Sequence, residues 1–395
     1  MKHTKHKYVR LRTCVITFLI GVLLSASLAT LYLTQQVSEL EHSFKKSEIK
    51  LTKKNKKLTS RLDNLQEKSS QSFSRIDYNK AINSDKTLSA SLNQQINETT
   101  FQGSALVIKD NQVILNKGYG DANKEKEIKN QPDTEFMLAS IQKSYTATLI
   151  MMLIQDKKLT FNTLLSEFYP EVPYSETITI RNLLDMSSGL FLEGNDPKGK
   201  SEEDTIAYVL KNVTYKQIDK WNYSSVNYML LAAIIRQITG ESYQDYLTKK
   251  IIAPLNLTHT GFYKEFTNDP EHTLSYDEKG KPVTIAEHNY SAELGTGNLY
   301  ASTKDLLTYL HALMDGKLIA RTSLDALWTN APQNYAYTYA SGLYHRDGFK
   351  KGHGLFRNYE SSLFISNNGK NAVVLLQNSY NVTGSKLAEK LFKKL

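Results

Sequence analysis

Ser140 is followed three residues later by Lys143, within the stretch FMLASIQKSYTA that runs from Phe136 to Ala147. A serine hydroxyl is a weak nucleophile until a neighbouring base takes its proton. An amine can be that base only in its neutral form, which burial or nearby positive charge favours. On a helix the positions i and i+3 share a face, so this spacing suits a nucleophile and its base. The positive backbone field in the first turn of a helix also favours an oxyanion. The same residues suit a plainer arrangement, with Ser140 capping the helix and Lys143 in solvent. Ser-x-x-Lys is too short to separate the two.

Two other stretches carry residues that would complete such a site. Tyr223, in WNYSSVNYMLL, precedes a run with apolar residues at Met229, Leu230, Ala233 and Ile234. A phenol there could pass a proton to or from Ser140. It could equally be one of the 24 tyrosines packed at a helix start. In KKGHGLFRNYESSLFI, His353 stands between Gly352 and Gly354. Glycine lets a backbone approach a ligand closely, and a strand can lend an N–H to an oxyanion hole. His353 there would bond a substrate carbonyl or carboxylate, although Gly-His-Gly reads as well as a turn. Lys351 and Arg357 flank the same strand and could meet a carboxylate or phosphate. The nine histidines are otherwise scattered, with no metal-ligand spacing.

These side chains need elements to hold them. FQGSALVIKDNQVILNKGYGDAN reads as a β-hairpin turning at Asp110-Asn111. A helix is expected from Ser140 to about Asp156, and several helix-length segments lie between Ile180 and Ile252. After Leu343 the chain reads as strands joined by Asn-Asn-Gly-Lys, then a final helix, GSKLAEKLFKKL. Strands at both ends with helices between predict a sheet built from both termini and covered by helices.

The net charge is +9, but it is unevenly placed. Up to Arg75 there are 15 Lys and Arg against 5 Asp and Glu, and the remainder holds 34 against 35. The globular part therefore lacks the positive field a nucleic-acid binder needs. One cysteine, Cys14, excludes an intrachain disulfide. From Cys14 to Leu33 there is no charge, and five Lys or Arg precede it. That length spans a bilayer core, and the flanking charges place the N-terminus in the cytoplasm. A cleaved signal peptide is the rival, but Ser27-Leu28-Ala29 is a poor cleavage site. Val37, Phe44, Leu51, Leu58 and Leu65 recur every seven residues. The stripe suits a helical stalk with weak self-association, or a solvated helical linker. The expected organisation is a basic cytoplasmic tail at 1–12, a transmembrane signal anchor at 13–34, a helical stalk or linker at 35–75, and an extracellular domain at 76–395. The predicted location is the cell membrane, single-pass.

Taken together, and in this order, the three motif stretches resemble the serine β-lactamase and penicillin-binding-protein superfamily. The likeness is to its class C-like branch of low-molecular-weight D,D-peptidases and teichoic-acid D-alanyl esterases. It spans roughly Thr100 to Leu395. TEFMLASIQKSYTA, ITIRNLLDMSSGL, NYMLLAAIIRQITGESYQDYLTKKIIAPLNLTHTGF and GTGNLYASTKDLLTYLHAL are each similar to stretches of that family. The resemblance implies an α/β (α+β) fold, with an antiparallel sheet flanked by helices plus a helical subdomain. It implies acyl transfer without a cofactor, with Ser140 acylated, Lys143 accepting its proton and Tyr223 relaying it. The N–H groups of Ser140 and about Phe356 would hold the oxyanion. Ser225, His353, Gly354, Phe356 and Arg357 would line the substrate. Two positions depart from the family: Ser225 stands where asparagine is usual, and Leu355 where glycine is usual. That asparagine holds the acyl-amide side chain of penicillins and peptides, so its loss favours a D-alanyl ester of a teichoic acid. D,D-carboxypeptidase action on peptidoglycan stems, or reaction with β-lactams, is the alternative. A non-catalytic wall-binding or penicillin-sensing module is a third reading.

Overall fold

Strand β1 (Gly103–Lys109) reads GSALVIK and buries every residue but its last. An apolar run of this kind belongs at the centre of a sheet covered on both faces. In the computed structural model it does lie inside a seven-stranded antiparallel sheet. The structure describes residues 32–54, 76, 86–193, 197–217, 220–329, 339–379 and 383–395. The other strands of the sheet are β2 (Gln112–Tyr119), β3 (Tyr339–Ala340), β4 (Leu343–Arg346), β5 (Phe349–Phe356), β6 (Tyr359–Ser366) and β7 (Ala372–Gln377). Their order across the sheet is β3-β4-β5-β6-β7-β1-β2. The N-terminal hairpin thus pairs with the last strand, Gly103 facing Gln377, as the sequence predicts. Asp110 and Asn111 both have positive φ, 50° and 64°, which matches the right-handed twist of a two-residue hairpin.

Two cores lie on the two faces of this sheet. One packs Ala105, Val107, Phe364, Val373 and Leu375 against helices α1 (Lys86–Asn97) and α5 (Gly384–Phe392). The other, much larger, holds Leu106, Ile108, Leu363 and Leu376 together with the helical part of the domain. Its centre is α2 (Gln142–Gln155), buried nearly all round, as expected of a helix inside a large core. Helix α3 (Val226–Thr239) packs beside it. It stops at Gly240, whose φ of 70° closes the helix without a Cβ penalty. Helix α4 (Thr303–Met314) completes this layer, with Tyr309 stacked on Tyr145 of α2 at 3.6 Å.

The chain divides into Met1–Ser72 and Phe73–Leu395. In the first unit, residues 32–54 form a helix in which Val37, Phe44 and Leu51 are exposed. The rest of the heptad stripe, and nearly all of the uncharged run from Cys14, lie outside the described residues. No helix among the described residues is long and apolar enough to cross a membrane.

Candidate active site

The sequence places a helix start at Ser140, and the structure refines this. The chain enters through a 3-10 turn, Ala139–Ile141, and α2 begins at Gln142. Ala139 sits at φ 48°, a left-handed conformation that costs a residue with a Cβ about 1–3 kcal/mol and tends to collect at functional sites. The Ser140 hydroxyl does not cap the helix. Lys143 Nζ lies 2.9 Å from its Oγ, and a second bond runs from Lys143 to the Thr296 carbonyl at 3.3 Å. Lys143 is fully buried. That burial excludes the solvated-lysine arrangement, and among the described residues Lys143 forms no ion pair.

Tyr223 joins this pair. Its ring centroid is 5.3 Å from Lys143 Nζ, and 37% of the residue remains exposed. It is held edge-on against Tyr339, at 5.7 Å, and tilted beside Trp221. The preceding residue is pinned by Asn222 N–H donating to the Met186 carbonyl at 2.8 Å. Ser225 is half-buried at the N-cap of α3, and its side chain caps nothing. Asn227, two residues on, does not replace the missing asparagine. It is buried, accepts from Ser188 and donates to the Ser224 carbonyl at 2.9 Å, so it holds the loop rather than facing the cleft. Burial keeps the phenols of Tyr228 and Tyr339, behind Tyr223, well above the usual range, so they remain neutral packing groups.

Strand β5 corrects the reading of the third motif. Successive side chains of a strand point to opposite faces. A Cβ on Gly354 would lie 2.8 Å from Ser140 N and 2.5 Å from the Leu138 carbonyl oxygen, and one on Gly352 would touch Ile141. These two glycines therefore face the nucleophile. His353 faces the other way: its Nε2 lies 2.9 Å from Glu360 Oε1, and Glu360 accepts the Gly384 and Ser385 N–H groups at the start of α5. Lys351 shares that face, over the Phe364 ring at 5.6 Å. Leu355 does too, and is 49% exposed. The glycine the site requires is present as Gly354, and Leu355 puts no side chain between β5 and Ser140.

The same register fixes the N–H directions. Phe356 pairs with Tyr359 across a two-residue loop, in which Arg357 and Asn358 have φ of 46° and 70°. The pair closing such a loop exchanges both of its hydrogen bonds, and bonded pairs then alternate. Phe356 and Gly354 thus bond β6, while the N–H groups of His353 and Leu355 point to the opposite edge. Strand β4 covers that edge only as far as Lys351. Beyond it, among the described residues, no strand pairs with β5. Leu355, not Phe356, presents its N–H beside the Ser140 turn. The Phe356 side chain is buried against Tyr290, and Arg357 is exposed at the hairpin tip.

Sequence reasoning missed a second wall, residues 290–297. Tyr290 touches Phe356, Thr296 receives Lys143, and a Cβ on Gly297 would lie 3.3 Å from Ala139 Cα. Gln142 ties α2 to the same segment through Asn298 and Leu299 N. Gly342 was missed as well: a Cβ there would lie 2.3 Å from Ser144 N. The wall lies in and just before GTGNLYASTKDL, a stretch that resembles the family but contains no group that suggests chemistry by itself. No group of three or more metal-ligating side chains occurs among the described residues.

Residues 93–392 match the family model described as Beta-lactamase. A Bacillus subtilis (strain 168) protein named as a penicillin-binding protein, PbpX, is 32% identical over 293 residues, which cover 73% of this chain and 74% of the relative. A Staphylococcus aureus protein named "Teichoic acid D-alanine hydrolase" is 27% identical over 290 residues, covering 73% and 72%. Among solved structures, FmtA from Staphylococcus aureus superposes with a TM-score of 0.70 at 25% identity, covering 79% of this chain and 89% of that one. With the match spanning the whole sheet and both walls of the site, the chain belongs to the beta-lactamase family.

Proposed function

We propose that this chain is a serine hydrolase that removes D-alanyl groups from ester linkage on teichoic-acid-like polymers of the cell envelope. The observation that carries the chemistry is the 2.9 Å contact between Ser140 Oγ and the buried Lys143 Nζ, beside Tyr223 and an open strand edge. Lys143 takes the Ser140 proton as Oγ attacks the ester carbonyl. The oxyanion is held by the N–H groups of Ser140 and Leu355. As the C–O bond breaks, Tyr223 gives its proton to the leaving polymer oxygen, which departs as a hydroxyl, and takes up the proton held by Lys143, leaving D-alanyl-Ser140. Water then attacks this ester and releases D-alanine. Ser225 in place of an amide side chain supports an ester over a peptide, as does the relative named as a D-alanine hydrolase. The name of the PbpX relative supports a second reading, acylation by D-Ala-D-Ala peptides or penicillins.

The test is intact-mass detection of an adduct on Ser140 with three probes: a D-alanylated glycerol phosphate polymer, a D-Ala-D-Ala peptide and a penicillin. Ester turnover is expected to exceed peptide turnover, and Ser140→Ala to abolish both. General acid–base assistance is worth roughly 10² to 10⁴ in rate, so Lys143→Ala and Tyr223→Phe should fall by that order. Rapid peptide or penicillin acylation with the polymer untouched replaces the first reading by the second. The uncharged run from Cys14 to Leu33 supports a single-pass anchor with the hydrolase outside the cell. A mature N-terminus near Thr30 would show cleavage instead.

A further inference from the structure

Glu293 stands on the second wall of the site, and no step of the reaction above uses it. Its Oε2 accepts the Thr296 hydroxyl at 2.6 Å, and the Thr296 carbonyl in turn receives Lys143. A Cβ on Gly297 would lie 2.8 Å from that same Oε2 and 3.3 Å from Ala139 Cα. The carboxylate therefore lies over a glycine that itself touches the residue before the nucleophile. Tyr290, one helical turn earlier, packs on Phe356 at the end of β5. The wall bearing Glu293 thus meets all three parts of the site: the Ser140 turn, Lys143 and the substrate strand. Glu293 is half-buried and, among the described residues, forms no ion pair. A carboxylate left without a cation beside a reacting centre is a ready receptor for a cationic substrate group.

Resting on the D-alanyl ester reading, we propose that Glu293 binds the free ammonium of the aminoacyl group. In a D-alanyl ester the ammonium is on the carbon next to the carbonyl that Ser140 attacks. A receptor for it must therefore lie within a side chain's reach of the nucleophile turn, as Glu293 does. An N-acylated residue, as in a peptide stem or a penicillin side chain, carries no charge at that atom. Such substrates would need an amide partner like the asparagine that Ser225 replaces. Gly297 is part of the device, because any side chain there would displace the carboxylate. Glu293 and Ser225 together then select for an amino ester: one supplies an anion for the ammonium, and the other withholds an amide partner.

The test compares two esters of one alcohol, D-alanyl and N-acetyl-D-alanyl, with the full-length protein. Glu293→Gln keeps an acceptor for Thr296 and removes only the charge. The wild type should prefer the D-alanyl ester in kcat/KM. In Glu293→Gln that preference should shrink roughly ten- to a hundredfold, the usual weight of a charge-assisted hydrogen bond. The loss should fall mainly in KM, and Glu293→Asp should recover part of it. An equal loss on both esters would show that Glu293 only supports the Thr296 turn. Accumulation of acyl-enzyme with both esters would make it a deacylation base. Either result overturns the assignment while leaving ester hydrolysis standing. If the wild type cleaves neither the D-alanyl ester nor the D-alanylated polymer but acylates with penicillin, the substrate reading itself fails, and the ammonium site with it.

Discussion

The two faces of strand β5 are built on opposite terms. Toward the nucleophile the strand presents Gly352, packed closely by the side chains of Leu343, Leu363 and Ile141, and Gly354, where the backbone of Leu138 and Ser140 comes closer than a Cβ permits. Toward α5 it presents Lys351, His353 and Leu355, where side chains have room and partners. The catalytic face is thus specified by what is missing, and the supporting face by what is bonded. On the first face, function depends on backbone atoms: the Ser140 turn and an edge N–H. On the second, a buried carboxylate, Glu360, accepts from Gln377, from two N–H groups of α5 and from His353. That satisfied set fixes the height of the strand without touching substrate.

Among changes to β5, the largest effect should come from one that alters the catalytic edge and leaves side-chain packing alone. Leu355→Pro removes the N–H assigned to the oxyanion hole. Proline is tolerated where a strand edge is unpaired, and the extended residue before it is compatible with proline. Acylation should fall by roughly 10² to 10³, as on removal of one oxyanion donor, with thermal unfolding little changed. A proline variant that acylates normally would return the donor to Phe356. Next in size is Gly354→Ala. Its Cβ meets two backbone atoms that no rotamer can move aside, so the Ser140 turn must shift. A displacement of about 1 Å costs on the order of 10² in rate. Overpacking adds about 1–3 kcal/mol of destabilisation, measurable by denaturant unfolding.

Much of this was legible in the residues. The hairpin at Asp110-Asn111 and the strands of both termini follow from local pattern, whereas i, i+3 spacing alone left the pairing of Ser140 and Lys143 open and the ordered family-like stretches supplied it. Strand parity was less accessible. The stretch KKGHGLF contains two glycines two apart, and sequence likeness set His353 and Leu355 at the motif's positions. The contact with the Ser140 turn selects the other parity, and that contact lies more than two hundred residues away along the chain. Glu293 was illegible for a related reason. A lone acidic residue before Gly-Thr-Gly carries no signal until the fold lays Gly297 against Ala139.

The smallest effect, and the sharpest test of the two faces, is expected at His353. If the imidazole lay in the cleft, replacing it would raise KM or lower kcat markedly, since a donor to the substrate would be lost. In the structure its partner is Glu360, behind the sheet, and its link to the reaction runs only through the position of β5. Glu360 would still accept from Gln377 and from α5 without it. His353→Gln keeps a donor of similar reach, so kcat and KM for the D-alanyl ester should stay within about threefold of wild type. Any stability loss should lie within the roughly 0.5–1.5 kcal/mol of one hydrogen bond. His353→Ala should cost somewhat more stability and still leave KM nearly unchanged. A tenfold or greater rise in KM for either variant, with unfolding unaltered, would place the imidazole on the substrate. The alternation of faces along β5 would then be wrong at this residue.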